Sequence, residues 1–292
     1  MSDKNFKTID EQIDLLAKRG LSIPNKKQAR DFLLRNNYYR ISGYSLTLRS
    51  HDVFNVGASL QNVIDIYSFD YELRHVLLRY IETIEVAVKS TYAYEFTMRY
   101  GATGYLCSGH FVDADKHKEI IGKAEAQKMR RLPHEPWIKH FVEDLQQDIP
   151  LWAYVELLTI SDISFLYSIS QKDIQEAVAA SLGICCSGAK LLKKFMHSMT
   201  IVRNLCAHGS RLYNRLFSQK PRLSKDERDI LIKDRHGRID DAHLFSFVIV
   251  MRRLLTREEF TSMKDEIRSL SQKYSFVDIK HYGFPSNWDS VL

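Results

Sequence analysis

Glycine and proline are scarce in this chain. Its 292 residues include 12 Gly and 6 Pro, about 4% and 2%, against typical usage of roughly 7% and 5%. So few chain breakers exclude collagen-like, low-complexity and many-stranded β architectures and point to long helices. Cysteine is sparse too. Cys107, Cys185, Cys186 and Cys206 form no C-x-x-C pair, which suits reduced thiols rather than a disulfide framework or a zinc site. No apolar run is long enough to span a bilayer; the longest, Leu244 to Met251, is interrupted by Ser246. The first residues, MSDKNFKTIDEQ, are polar and acidic, so the expected location is cytoplasmic, with no membrane partner. Neither sign of charge dominates: 42 Lys+Arg against 36 Asp+Glu gives +6, which permits a nucleic-acid partner without demanding one. What is abundant is apolar and charged residues, 45% and 27%, enough to build and solvate a substantial core.

Apolar spacing then places the helices. Ile9, Ile13, Leu15 and Leu16 predict a helix over 9–19 that stops at Gly20, and Ala29, Phe32 and Leu33 predict a second from Lys26 to Asn36. The segment Asn36 to Ser50 loses helical period and reads as a loop or short extended piece. Between Gly57 and Gly101 neither Gly nor Pro occurs, and Val63, Tyr67, Leu73, Leu77, Tyr80, Ile84 and Val88 keep helical phase. That predicts one long amphipathic helix or two nearly continuous ones. Residues 101–136 read as a polar, basic insertion with a short helix over Lys116 to Arg131. From Leu151 a buried helix pair is expected, broken near Thr159 to Asp162. Another helix should start near Ser187 and run toward Gly209 on a seam of Leu192, Phe195, Met199, Val202 and Cys206. A basic linker, Lys220 to Arg238, leads to an apolar helix around His243 to Leu255, an amphipathic charged segment and an aromatic tail. The expected division is an N-terminal helical and extended subdomain at 1–57 and a helical domain at 58–292 carrying the insertion.

One constellation on the helix ending at Gly209 carries chemistry. Within RNLCAH, Asn204 and His208 lie about 40° apart in helical projection, with His197 between them and Arg203 about 100° from Asn204. These residue types suit RNA cleavage in which the ribose 2′-OH attacks the adjacent phosphate. The substrate then supplies its own nucleophile, and the protein moves protons and stabilises charge. Imidazole exchanges protons near neutral pH. A guanidinium stays charged and grips phosphate through two parallel hydrogen bonds. Asn204 can orient the imidazole or bind the phosphate. Taken alone, an Arg-x4-His string equally describes a surface Arg and a capping His.

Further landmarks occur in order along the chain: LLAKRGLSI, NYYRISGY, YSFDYELRHVLLRYIETIEVAVKS, PLWAYVELLTISDISFLY, VRNLCAHGSRLYNR and YGFPSNW. With these the chain resembles the Abi-like family of bacterial abortive-infection proteins, the AbiD and AbiF group within the HEPN superfamily, over nearly its whole length. The resemblance implies an all-α, HEPN-type helical bundle with additional N-terminal helices and a short extended or hairpin segment. It maps the family pattern R-N-x-x-x-H onto Arg203, Asn204 and His208. It also implies a homodimer with a composite active site, because such ribonucleases generally join two motifs and one copy stands out here. One departure is Thr159-Ile160 where the family usually has Phe-Gly.

The expected function is therefore a metal-independent endoribonuclease of phage defence, acting by abortive infection or as a toxin, with RNA as substrate and no cofactor. The alternative from a different class is a catalytically silent RNA-binding scaffold held with a small-RNA or protein antitoxin; a third is a helical protein-interaction module. Glu82, Glu85 and His197 are candidates for supporting the catalytic groups by hydrogen bonding. Tyr39 and Arg40, within the Tyr38 to Tyr44 cluster, and Arg211 and Arg215 are candidates for RNA contact, and Lys116 to Arg131, Arg222 and Lys225 for a basic RNA-facing surface. His134 and His140 lack the i, i+4 spacing of a zincin helix, so no metal site is expected. Trp152 and Trp288 read as core or interface packing.

Overall fold

A computed structural model describes residues 6–184, 188–233 and 236–292. Helix α1 (Ile9–Lys18) is closed at its start by a reciprocal Thr8/Glu11 capping box, and α2 (Lys26–Asn36) is capped by Asn25. Asn37, at φ 61°, ends α2 and caps the next helix through Tyr39 N–H. That helix, α3 (Tyr38–Tyr44), replaces the expected loop. Its stability is tertiary: Ile41 and Tyr44 are buried, and the Tyr44 hydroxyl donates to Asp70 at 2.8 Å. The extended element follows it as a small antiparallel hairpin of β1 (Arg49–Ser50) and β2 (Val53–Phe54).

The spine is α4 (Leu60–Tyr100), a single helix of 41 residues, about 60 Å long at 1.5 Å per residue. Ser59 and Asn62 box its start and Gly101 ends it. Next come α5 (Ala114–Arg131) and the short α6 (Pro136–Lys139). Helix α5 covers the span expected over Lys116 to Arg131 and starts two residues earlier; His117, Ile120 and Ala124 bury one face of it. The expected helix pair is α7 (Leu151–Tyr154), continued by a 3₁₀ turn, and α8 (Ile160–Ile169). The break falls at Thr159, which forms a capping box with Asp162, so the residue departing from the family pattern starts a helix. An unanticipated helix, α9 (Lys172–Ser181), precedes α10 (Gly188–Ala207). Ser187, the expected start of α10, and the adjacent Cys185 and Cys186 lie outside the described residues. The chain closes with α11 (Lys225–Asp229) inside the basic linker, α12 (Phe245–Leu254), α13 (Arg257–Lys273) and α14 (Trp288–Val291).

The fold is all-α, with 68% of residues helical. Helices α3, α7, α9, α10, α12 and α13 pack on α4, and one hydrophobic cluster runs from Ile13 to Trp288. Leu192, Phe195, Met199, Val202 and Cys206 are all buried, so the predicted seam of α10 is its core face. Trp288 is buried as expected, whereas Trp152 is 58% exposed and is no part of the core. No helix among the described residues is long and apolar enough to cross a membrane.

Candidate active site

Helix α10 delivers Arg203, Asn204 and His208 to one end of the bundle. Because the apolar seam of α10 faces α4, α8 and α9, the opposite stripe must face outward, and Asn204 and His208 are exposed. Arg203, closer to the seam, is half-buried. None of the three side chains has a hydrogen-bond or ion-pair partner among the described residues. No Arg203 nitrogen is among the buried unsatisfied atoms, so the guanidinium stays open to solvent and carries no protein counter-charge among the described residues.

The chain exit beside His208 is held rigidly. Gly209, at φ 62°, adopts the left-handed conformation that closes a helix. Its amide donates to Cys206 O at 3.0 Å and the Ser210 amide to Leu205 O at 2.8 Å, the paired bonds of a Schellman cap. The Gly209 carbonyl is taken by Arg40 Nη2 from α3. Arg211 donates to Tyr213 O, and Arg215 to Arg211 O at 3.3 Å. Arg211 also explains Gly43 in α3: a Cβ there would stand 3.0 Å from Arg211 Nε. Thus Arg40, Arg211 and Arg215, candidates for RNA contact, spend hydrogen bonds on backbone carbonyls. Their charges nonetheless gather at a helix C-terminus, where they oppose the negative end of the macrodipole that would repel phosphate. Tyr39 is 85% exposed on the same short helix as Arg40.

Beneath this exit lies a buried hub. Asp70 of α4, fully buried, accepts from Tyr213 N at 2.8 Å, Leu212 N at 3.1 Å, Tyr44 Oη at 2.8 Å and Tyr282 Oη at 3.1 Å. It is also paired with Arg74, itself only 3% exposed, which donates to Tyr44 Oη at 3.3 Å. Burial pushes the Asp70 carboxyl upward from its ordinary value; the Arg74 charge and the hydrogen bonds from Tyr44, Tyr213 and Tyr282 oppose it. Backbone amides and a guanidinium can only donate, so the donor set is the one an ionised carboxylate needs. Burial also pushes the neighbouring Cys206 thiol up to about 12. The hub ties α3, α4, the segment after α10 and the C-terminal tail to one point. Sequence reasoning missed Asp70, although its signal was present: it falls in helical phase with Val63, Ile66, Leu73 and Leu77, among residues that are all buried.

The remaining candidates lie elsewhere. Glu85 pairs with Lys89 at 2.9 Å; Glu82 is exposed. Neither bonds to Arg203 or His208. His197 Nε2 meets Gln219 Oε1 across a groove beside α10. In α5, Lys116 and Lys123 pair with Glu119 at 2.8 and 2.6 Å, Lys128 pairs with Glu125, and Arg131 pairs with Glu135 at 3.0 Å. Most of the cationic surface expected there is therefore compensated by its own acids. His140 contacts Asp144 at 3.3 Å, and no group of three metal-capable side chains occurs among the described residues.

A family model described as Abi-like protein matches residues 31–214, more than half of the chain. The chain belongs to the Abi-like protein family. That match takes in α3, the Asp70 hub apart from Tyr282, and the whole Arg203 to His208 motif, and it excludes the first landmark, at Leu15 to Ile23, and the YGFPSNW tail. No curated protein and no solved structure matches the chain.

Proposed function

We propose that this Abi-like protein is a metal-independent endoribonuclease of the HEPN type, acting in phage defence, whose active site is formed where two copies of the α10 C-terminus meet. The observation that carries the reading is the unpartnered trio. Arg203, Asn204 and His208 sit on the last turns of one helix, the guanidinium and the imidazole about 140° apart in projection and each without a partner among the described residues, on an exit that Arg40 and Asp70 hold.

The chemistry follows from the groups. His208 accepts the proton of a ribose 2′-OH as that oxygen attacks the adjacent phosphorus. Arg203 binds the non-bridging oxygens, where charge accumulates in the transition state, and Asn204 fixes the phosphate or the ring. The P–O5′ bond breaks, and the leaving 5′-oxygen takes a proton from the imidazolium of the second copy. The products are a 2′,3′-cyclic phosphate and a 5′-hydroxyl. General acid–base transfer contributes roughly 10²- to 10⁴-fold, and loss of one charge-stabilising donor costs about 10²- to 10³-fold. Purified protein incubated with cellular RNA, with and without chelator, should cleave it in both cases; His208→Ala and Arg203→Ala should each lose at least about a hundredfold in rate. Undiminished cleavage by both variants would overturn the assignment.

A further inference from the structure

The groove that His197 and Gln219 line is walled by cations. It has a volume of about 540 Å³ and runs beside α10, with Lys190, Lys193, Lys194 and Ile201 on one wall and Lys220 and Arg222 on the other. No carboxylate lines it. Lys220 is neutralised by Asp241 at 2.5 Å. Lys190, Lys193, Lys194 and Arg222 are exposed and have no acidic partner among the described residues. This contrasts with α5, where lysines and arginines are interleaved with glutamates that pair with them. Partners at i+3 or i+4 would stabilise such a face; here the like charges are left to repel one another. Such an arrangement is stable only because solvent screens it, and it is relieved by a polyanion.

Helical geometry connects the groove to the proposed catalytic residues. Lys190, His197 and Asn204 recur every seven residues, a drift of only about 20° each time, and His208 lies about 40° from Asn204. The distance along the axis from Lys190 to His208 is about 27 Å, the length of a strand of several nucleotides. The groove has the volume of a small-molecule site, enough for part of one extended strand.

We infer that this groove is a binding track for single-stranded RNA, leading the strand along α10 to Asn204 and His208. The inference rests on the ribonuclease reading for its direction, and on the unpaired lysines for its existence. Single-strand binding releases about 0.7 counterion per neutralised phosphate, so between 0.15 and 1 M salt each contact is worth roughly fourfold in affinity. Removing two contacts should then weaken binding by about tenfold at physiological salt.

The test measures binding apart from turnover. Fluorescence anisotropy of a fluorescein-labelled 12-nucleotide oligouridylate is recorded across a salt series with full-length protein in a His208→Ala background. Adding Lys193→Gln and Lys194→Gln should weaken binding about tenfold and lower the salt slope by about 1.4, while Lys193→Arg with Lys194→Arg should restore both. Neutralising Lys26 and Lys172, which pair with Asp14 and Glu176 elsewhere, should leave both unchanged. Equal affinity and slope in the groove variant, or a duplex of the same length bound as tightly through the same lysines, would overturn the track. Failure of the ribonuclease reading would appear separately, as lysine-dependent binding by the parent protein with no cleavage of the same RNA.

Discussion

Removing the Asp70 carboxylate should be among the most destabilising single changes available in this protein, and it should act first on the chain exit beside the candidate site. In Asp70→Ala the Arg74 guanidinium, 3% exposed, keeps its burial but loses its counter-charge. Breaking a buried pair from one side typically costs about 3–5 kcal/mol. The Leu212 and Tyr213 amides and the Tyr44 and Tyr282 hydroxyls lose acceptors as well, though solvent admitted to the cavity would satisfy part of that set, so the pair figure is a floor. Against a typical total stability of about 5–15 kcal/mol, the loss should lower the thermal midpoint by about 6–10 °C or more in a chain of this size. Urea denaturation followed by circular dichroism gives the free-energy change. Native-state hydrogen exchange supplies the local readout: the Leu212 and Tyr213 amides should lose protection before the α4 amides do. Adding Arg74→Met should recover part of the loss, because the stranded charge disappears with it. A loss below about 1 kcal/mol, or no recovery in the double variant, would refute the reasoning that the hub is an ionised pair anchoring the exit.

Four further outcomes follow from the same structure. Arg40→Met removes the donor to Gly209 O and should cost about 1.5–3 kcal/mol; it should also reduce RNA cleavage although Arg40 is no member of the trio, and full activity in a folded variant would contradict that. Cys206, buried with its thiol pushed to about 12, should resist iodoacetamide at pH 8 in the native state, whereas exposed Cys107 should be labelled; mass spectrometry of the two peptides checks it. Thr159→Ala strips the capping box from α8 and should cost about 1 kcal/mol in urea unfolding, with no effect if the cap is incidental. Burial holds His281 below its ordinary value despite Asp278, and with Lys280 and His243 adding to the depression. Its neutral ring is therefore preferred in the folded state, so stability is lost as pH falls below the unfolded value toward the folded one. The drop in thermal midpoint on acidification should be smaller in His281→Gln than in the parent.

Elements whose limits are set by local chemistry were legible from sequence. Gly20 closes α1 and α2 starts at Lys26, the breaker-free stretch up to Gly101 is one helix, and the seam of α10 is buried residue for residue. Helix α3 was not legible. Seven residues give too few turns for a period to register, and the contacts that hold it come from Asp70 and Arg211, far along the chain. The same division applies to the site. The projection of Asn204 and His208 onto one exposed face follows from 3.6 residues per turn. Their lack of partners does not, nor does the clamp from Arg40, 169 residues before Gly209, or that from Asp70, 143 before Tyr213. Spacing does separate the lysines of α5, whose glutamate partners lie three or four residues away, from those of α10, which have no acid at those positions; the second wall of the groove, from Gln219 to Arg222, comes from a later segment and was not legible.

The central claim is that RNA supplies its own nucleophile to a site built from Arg203, Asn204 and His208. The most direct measurement uses a labelled oligonucleotide cut at a mapped position, remade with a single 2′-O-methyl group on the nucleotide 5′ to the scissile phosphate. The account predicts that the unmodified strand yields a 2′,3′-cyclic phosphate and a 5′-hydroxyl in the presence of chelator, and that the methylated position is not cut. Cleavage at the methylated position, or a 5′-phosphate on the downstream product, would contradict it.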